Sequence, residues 1–374
     1  MKEGWEYRKL GEVCEILDSQ RKPITKGKRE PGSIPYYGAT GCLDYVKDYI
    51  FDEKLVLLGE DGAKWGAGEN SAYIIEGKSW VNNHAHALRP KRDLIVDELL
   101  VYYLNYSNLL SFITGVTVPK LNQEKMRSIE IPIGPVNEQQ SIVDYLDSAF
   151  AKIDAMKANA EKSLNEAKAL FQASLKEMLE PKEGTKWGTI GDLFETYSGG
   201  TPTKSNKEYY EGGSIPWLRS GEVCQKEITE TEMFITEKGL KESSAKYYPE
   251  NTVVIAMYGA TAAQVGILRI VSTSNQAVCG ILPHKDFLPE FIYYWFRSIE
   301  DKLAAQAQGG AQPNISQQKI KKVEIPIYSI TEQQSIVATL DSLKSKVDKL
   351  QENFDKISQE CDALKQAILR QVFE

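Results

Sequence analysis

Ile129-Glu130-Ile131-Pro132-Ile133, followed by Asn137-Glu138-Gln139-Gln140-Ser141-Ile142-Val143 and Leu146-Asp147-Ser148, returns later in the chain. The second version is Val323-Glu324-Ile325-Pro326-Ile327, Thr331-Glu332-Gln333-Gln334-Ser335-Ile336-Val337 and Leu340-Asp341-Ser342, at a constant offset of 194 positions. Such a match is a duplication, and it decides the organisation before any single residue is weighed. Working backwards, Pro119-Lys120-Leu121-Asn122-Gln123 aligns with Pro313-Asn314-Ile315-Ser316-Gln317, and Glu98 to Tyr103 with Glu290 to Trp295. Ser33-Ile34-Pro35-Tyr36 aligns with Ser214-Ile215-Pro216-Trp217, and Trp5 with Trp187.

Working forwards, each copy runs into a helical segment. Apolar residues fall at Ile336, Leu340, Leu343, Val347, Leu350, Phe354, Ile357, Cys361, Leu364 and Ile368. That alternation of four and three is a coiled-coil seam. The first copy shows Ile142, Leu146, Ala149, Ile153, Met156, Ala160, Leu164, Ala167, Phe171 and Leu175. About 43 residues make a rod of roughly 65 Å. The first seam is rich in alanine and the second in large side chains, so the two are expected to pack on each other. Asn137 with Gln140, and Thr331 with Gln334, fit the N-cap and N3 positions of capping boxes; Pro181 and Gly184 end the first helix.

The domains read from this are 1–135 and 181–329, each globular, and 136–180 and 330–374, each helical. The fold class is α+β, two mixed α/β domains in tandem separated by two long helices. Strand-like runs lie at Lys54–Leu58, Val81–Leu88 and Thr252–Ala256, short helices at 97–106 and 289–299, and Gly and Pro mark many turns.

The chain has 374 residues, 42% of them hydrophobic and 26% charged, the balance of a soluble globular protein of more than one domain. It has no apolar run able to cross a bilayer, and its first residues lack a signal-peptide core, so a cytoplasmic location is expected. Five scattered cysteines, without a C-x-x-C pair, read as free thiols. The net charge of −7 sits mostly in the helical segments; the two globular segments are near neutral, which leaves room for a basic face on each.

In these residues the chain resembles the specificity subunits of type I restriction–modification enzymes. The duplicated entry into a long helix carries that resemblance. So do the loops Gly115-Val116-Thr117-Val118-Pro119-Lys120-Leu121-Asn122 and Gln308-Gly309-Gly310-Ala311-Gln312-Pro313-Asn314-Ile315-Ser316, and the turn Ser198-Gly199-Gly200-Thr201-Pro202. The resemblance implies that each globular domain is a target-recognition domain reading half of an asymmetric, interrupted sequence of double-stranded DNA. It implies that the helices form an antiparallel coiled coil that sets the gap and docks two methyltransferase subunits. Those partners would carry S-adenosylmethionine, and restriction/translocase subunits would carry ATP and Mg; this chain would hold no cofactor or metal and span no membrane.

Long polar or basic side chains on loops are the candidates for DNA contact: Arg21, Lys22, Lys64, Trp65, Lys120 and Asn122 in the first domain, and Lys204, Arg219, Thr261, Gln264, Asn314 and Lys319 in the second. Any of these is as often a solvated surface residue, and Trp65 is more often a packing residue. Loops differ between the copies: Asp18-Ser19-Gln20-Arg21-Lys22-Pro23 stands where Tyr197-Ser198-Gly199-Gly200-Thr201-Pro202 stands, and Gly59 to Trp65 stands against Met257 to Thr261. His84 and His86 alternate toward one face, and a structural role is expected of them. No P-loop and no Asn/Asp-Pro-Pro-Tyr/Phe methyltransferase motif occurs. Rival readings are a coiled-coil scaffold joining two protein-binding modules, the equivalent subunit of a related type II enzyme, and a hydrolase using Glu60, Asp61 and Lys64. The last has no matching set in the second copy.

Overall fold

A computed structural model of the chain describes residues 4–115, 117–305 and 314–374. Contacts divide it into two compact units, Met1–Glu161 with Asn353–Glu374, and Lys162–Glu352.

In the first unit, Cys14–Ile16, Ala85–Pro90, Leu55–Gly59 and Ala72–Ile75 lie in that order in one antiparallel sheet. Gly41–Val46, Pro31–Gly38, Lys78–Val81 and Phe51–Asp52 form a second. The run Val81–Leu88 is therefore two strands rather than one. Asn82 to His84 turn the chain, because the Asn82 side chain accepts from the His84 N–H (2.8 Å) and offers the backbone an alternative to the ladder. The helix Asp97–Tyr106 buries Leu99, Leu100 and Leu104 in the core around Val56, Leu58 and Leu88.

The second unit repeats the plan with different trimming. Thr196–Ser198, Val278–Ile281, Val253–Ala256, Val265–Leu268 and Glu227–Ile228 make five strands; Phe234–Ile235, Ile215–Leu218 and Thr273–Ser274 make three. The helix Pro289–Ser298 buries six consecutive residues from Phe291 to Phe296.

In both units a two-stranded ribbon closes the domain immediately before the long helix. Glu6–Lys9 pairs antiparallel with Glu130–Ile133, and Lys186–Thr189 with Glu324–Ile327. Each proline of the Ile-Pro-Ile motif is tolerated because a two-stranded ribbon is all edge. The register sets Tyr7 opposite Pro132 and Trp187 opposite Pro326, so Tyr7, not Trp5, is the counterpart of Trp187.

The repeated Glu-Gln-Gln has a structural reason. Gln139 is fully buried; its Oε1 accepts from Val96 N–H (2.9 Å), and its Nε2 donates to Leu94 O and Gly134 O (both 2.8 Å). Gln333, also fully buried, accepts from Leu288 N–H (2.8 Å) and donates to Asp286 O (2.8 Å) and Tyr328 O (2.9 Å). Each buried glutamine thus ties the start of a long helix to the entry of the short one, its own amide fully satisfied by three backbone groups. A tyrosine one turn further along the short helices reaches the same long helices: Tyr102 donates to Asp147 and Tyr294 to Asp341.

The long helices run Val136–Leu179 and Ile330–Phe373, 44 residues each. In the first unit Lys157 pairs with Asp362 (3.3 Å), Asp154 with Lys365 (2.6 Å), and the buried Cys361 sulfur lies 3.8 Å from Ile153 O. In the second, Phe171, Leu175 and Leu179 share a core with Leu340 and Val347, and Lys168 donates to Gln351. Start packs on end in both cases, so the pairing is antiparallel. Met156 and Leu364, counted into the seam, are exposed, and Lys157 and Lys365 turn partly inward instead. A near-straight helix drifts by ~20° per heptad against a strict 3.5-residue count. The second helix is capped two residues earlier than expected: Ser329 and Glu332, not Thr331 and Gln334, exchange the capping-box bonds, with Ser329 N–H donating to Glu332 Oε2 (2.9 Å) and Glu332 N–H to Ser329 Oγ (3.3 Å). The first helix begins at Val136, and Gln139 N–H donates to Pro135 O (3.0 Å), so Asn137 already lies within it.

Candidate nucleic-acid interface

Backbone bonds fix which residues of the two units correspond. Glu60 N–H donates to His84 O and its carbonyl accepts from Leu121 N–H, both at 2.8 Å. Met257 makes the same pair of bonds with Ala277 O (2.7 Å) and Ile315 N–H (2.8 Å). Asp61 then faces Lys120, as Tyr258 faces Asn314. On the neighbouring strands Ile16 stands opposite Leu88 and Thr196 opposite Ile281, which makes Asp18 the counterpart of Ser198 and His86 that of Cys279. Both loop alignments drawn from the sequence, Asp18 with Tyr197 and Glu60 with Tyr258, are one residue out of register.

At these shared positions the first unit is ionic. The Glu60 carboxylate bridges Arg21 Nη1 (2.6 Å) and Lys120 Nζ (2.7 Å), so one buried acid ties together two loops. Asp18 receives His86 Nδ1 (2.6 Å), Arg21 Nη2 (3.2 Å), Gln123 Nε2 (3.1 Å) and Ala87 N–H (3.0 Å). His86 is buried, and its Nε2 faces Leu121 O at 2.7 Å. Both ring nitrogens therefore meet oxygen atoms, which fixes the ring between Asp18 and Leu121. Burial by itself would push both carboxyls up. For Asp18 the hydrogen bond and charge of His86, then Arg21, outweigh it; for Glu60 the bonds from Lys120 and Arg21 do. Both acids are held below the usual carboxylate range.

Asp18, Glu60 and His86 bring three ligand atoms within 4.8 Å of one another, the spacing of a metal site. The donor set does not suit one, because Arg21 already bonds both carboxylates and Lys120 holds the second oxygen of Glu60. A dication there would add charge to a cluster whose acids are neutralised.

The second unit is neutral at the same places. Ser198 Oγ donates to Gln317 Oε1 (3.2 Å), Cys279 is buried with its thiol pushed up to about 12 by burial, and Met257 replaces Glu60. Its polar side chains gather at the rim. Thr201, Lys204, Arg219, Asn275 and Gln276 line a cleft of about 490 Å³ that also takes in Trp217. Gly199 lets the Ser-Gly-Gly-Thr-Pro turn lie flat on Ser274 and Asn275, where a Cβ would fall 2.2 Å from Ser274 O, and Gly200 lets it pass Ser244 and Ala245. Thr201 Oγ1 is thereby brought into hydrogen-bond contact with Gln276.

The other candidates are distributed as follows. Lys22 and Lys204 are exposed, and Lys64 pairs loosely with Glu69 (3.8 Å). Trp65 is buried, its indole N–H donating to Gly59 O (2.9 Å), so it fills the core rather than projecting. Asn122 caps the helix Gln123–Arg127 by accepting from Lys125 N–H (2.9 Å), as Ser316 caps Gln317–Lys321. Arg219 pairs with Glu222 (3.2 Å) and Glu232. Thr261 donates to Tyr258 O (3.4 Å), and the buried Oε1 of Gln264 has no partner among the described residues. Asn314 is exposed; Lys319 lines a separate cleft with Trp187 and Trp295. Of the two signature loops, Thr114 and Lys120 close the first, with Gly115 at φ 88°, while Val116 and Gln308–Pro313 lie outside the described residues. His84 pairs with Asp61 at the surface and His86 with Asp18 inside. The five cysteines are free. Sequence reasoning missed Lys26 and Lys28, exposed on a turn beside Arg29, and the cluster that joins Asp18, Glu60 and His86 to Arg21 and Lys120.

The model of a family described as type I restriction modification DNA specificity domain matches residues 2–166 and again 182–359. The chain belongs to this family of specificity subunits. A putative type I restriction enzyme specificity subunit of Haemophilus influenzae, S.HindORF215P, is 27% identical over 353 residues, covering 91% of this chain and 88% of its own. The EcoR124I/EcoR124II specificity subunit of Escherichia coli is 32% identical over 209 residues, 54% of this chain and 51% of its own. Among solved structures, a chain from a study of complex assembly and conformational transition in a type I R-M system superposes with a TM-score of 0.75 at 17% identity, covering 100% of this chain and 98% of that one. The HsdS subunit from Thermoanaerobacter tengcongensis gives 0.61 at 18%, with 100% and 97% covered. At these identities the superpositions speak to the specificity-subunit fold alone. Among the described residues no helix is long and apolar enough to cross a membrane.

Proposed function

We propose that each recognition domain, 1–135 and 181–329, reads one half of an asymmetric bipartite DNA target in the major groove. The paired helices set the gap between the halves and dock two methyltransferase subunits. The chain performs no chemistry itself: S-adenosylmethionine belongs to the methyltransferases, and ATP and Mg to the restriction/translocase subunits, in the cytoplasm. Arg21, Lys22, Lys64 and Lys120 serve the first half, and Lys204, Arg219, Thr261, Gln264, Asn314 and Lys319 the second. Behind the first set, Trp65 fills the core and Asn122 caps a helix, so both support the readers without touching a base.

One observation carries this reading. The same backbone frame holds an ionic cluster at Asp18, Glu60, His86 and Lys120 in one unit and Ser198, Met257, Cys279 and Asn314 in the other. Like frames suit like partners, and unlike side chains at one register suit unlike bases. A scaffold for identical modules has no use for that difference.

The test is methylation mapping after co-expression with the methyltransferase subunit in a host lacking other modification. One split motif with adenine modified in both halves is expected; an unsplit motif, or none, overturns the proposal. Deleting four residues, about one turn, from both long helices is expected to shorten the gap and leave the half-sites unchanged.

A further inference from the structure

Each unit carries the same small device at the turn into its central strand. Tyr37 pairs with Val81 in parallel, and Leu218 with Ser274 in the same way. The next residue is an asparagine in both copies. Asn82 N–H donates to Tyr37 O (3.0 Å) and Asn275 N–H to Leu218 O (2.9 Å). Their side chains accept from the backbone two residues on, Asn82 from His84 (2.8 Å) and Asn275 from Ala277 (3.0 Å). The turn that results projects the following side chain, and in both copies that side chain is an exposed carboxamide, Asn83 in one and Gln276 in the other.

The surroundings differ in detail but agree in kind. Lys22 N–H donates to Val81 O (3.3 Å) and Lys22 O accepts from the Trp80 indole (2.6 Å), which places an exposed ammonium beside the first turn. Lys204, Lys207 and Arg219 share a cleft with Gln276. Gln276 Oε1 accepts from Thr201 Oγ1, which orients the amide. Among the described residues the carboxamide of Asn83 has no hydrogen-bond partner. A carboxamide offers one donor and one acceptor side by side, the pattern that pairs with adenine N7 and N6 in the major groove. Flanking cations suit the phosphates on either side.

We infer that Asn83 and Gln276 are specificity-determining residues that read an A·T pair, one in each half of the target. The inference rests on the DNA-reading function proposed above. Gln276 is longer by one methylene, so the two reach to different depths from equivalent turns.

The experiment uses the full chain with its methyltransferase subunit, mapped as before, for the wild type and for Asn83→Leu, Gln276→Leu and Gln276→Asn. Asn83→Leu is expected to relax a single A·T position in one half, lowering discrimination there by roughly 10- to 100-fold, and to leave the other half intact. Gln276→Leu is expected to do the same in the opposite half, with Gln276→Asn retaining more preference than Gln276→Leu. Melting temperatures within a degree or two of wild type show that the variants fold. A split wild-type motif with both variants unchanged, or with methylation reduced evenly over all sites, overturns this inference and spares the broader reading. An unsplit wild-type motif overturns both.

Discussion

Two places built on the same backbone bonds, the ends of Leu55–Gly59 and Val253–Ala256, contain opposite chemistry. One holds two acids, three basic groups and a buried charge network; the other holds methionine, cysteine and serine. The difference is possible because the frame does not depend on these side chains. Its bonds run between backbone groups, or from Gln139 and Gln333, which behave alike in both units. What is held by backbone is free to vary in side chain, and the position where variation is cheapest is also where loops converge.

The largest effect is expected where the units agree. Gln139→Leu and Gln333→Leu each strip partners from three mostly half-buried backbone groups and are expected to destabilise by ~3 kcal/mol, at the low end of 1–3 kcal/mol per orphaned group. Denaturant midpoints of the full chain check this; a loss below ~1 kcal/mol at either site would break the claim that the frame is shared. Next is Glu60→Gln, which leaves Arg21 and Lys120 facing an uncharged partner and is expected to cost ~3 kcal/mol near neutral pH. The pH dependence has a definite sign. Asp18 and Glu60 are held below their ordinary values, so they stabilise the native state above the usual carboxylate range, and that contribution disappears as pH falls through the depressed values. Glu60→Gln is expected to flatten the acid limb of a stability–pH curve, and an unchanged limb would show that the cluster carries no such linkage.

Asn122→Ala and Ser316→Ala are expected to cost ~1 kcal/mol each, the worth of an N-cap, and to leave the methylation motif unaltered. A changed motif would return Asn122 to the readers. Smallest of all, Lys157→Ala removes an exposed pair with Asp362 and is expected to shift stability by ~0.5 kcal/mol or less.

The duplication, the long helices and their packing on each other were legible in the sequence because they are periodic, and periodicity survives without knowledge of contacts; the antiparallel direction came only from the family resemblance. Register was less so. The frame counts from Tyr7 and Trp187, yet two tryptophans, Trp5 and Trp187, catch the eye first. The capping box slipped by two residues because Ser329, outside the repeated motif, supplies the cap in place of Thr331. Polarity does not reveal direction: the indole N–H of Trp65 is spent on Gly59 O inside the core, and the side-chain oxygen of the half-buried Asn122 on a helix end. In each Glu-Gln-Gln the second glutamine, Gln140 or Gln334, was read as a capping partner, whereas the first, Gln139 or Gln333, given no role, is the buried tie of its unit. A signal for the amide turns did exist. Asn82-Asn83 and Asn275-Gln276 stand at nearly the spacing of the main repeat, but two residues in a divergent loop weigh little until strands are drawn around them.

The closing ribbon has an engineering consequence. Leu10 N–H donates to Ile129 O (2.8 Å) and Ile190 N–H to Val323 O (2.9 Å), so each reading domain is entered and left through adjacent doors. The stretch behind the second pair of doors is the longer of the two, and the threshold is unchanged. A cassette hung in this way can be lengthened, shortened or exchanged for another without moving the doorposts, which leaves the chain free to acquire a new reading head while everything outside it stays put.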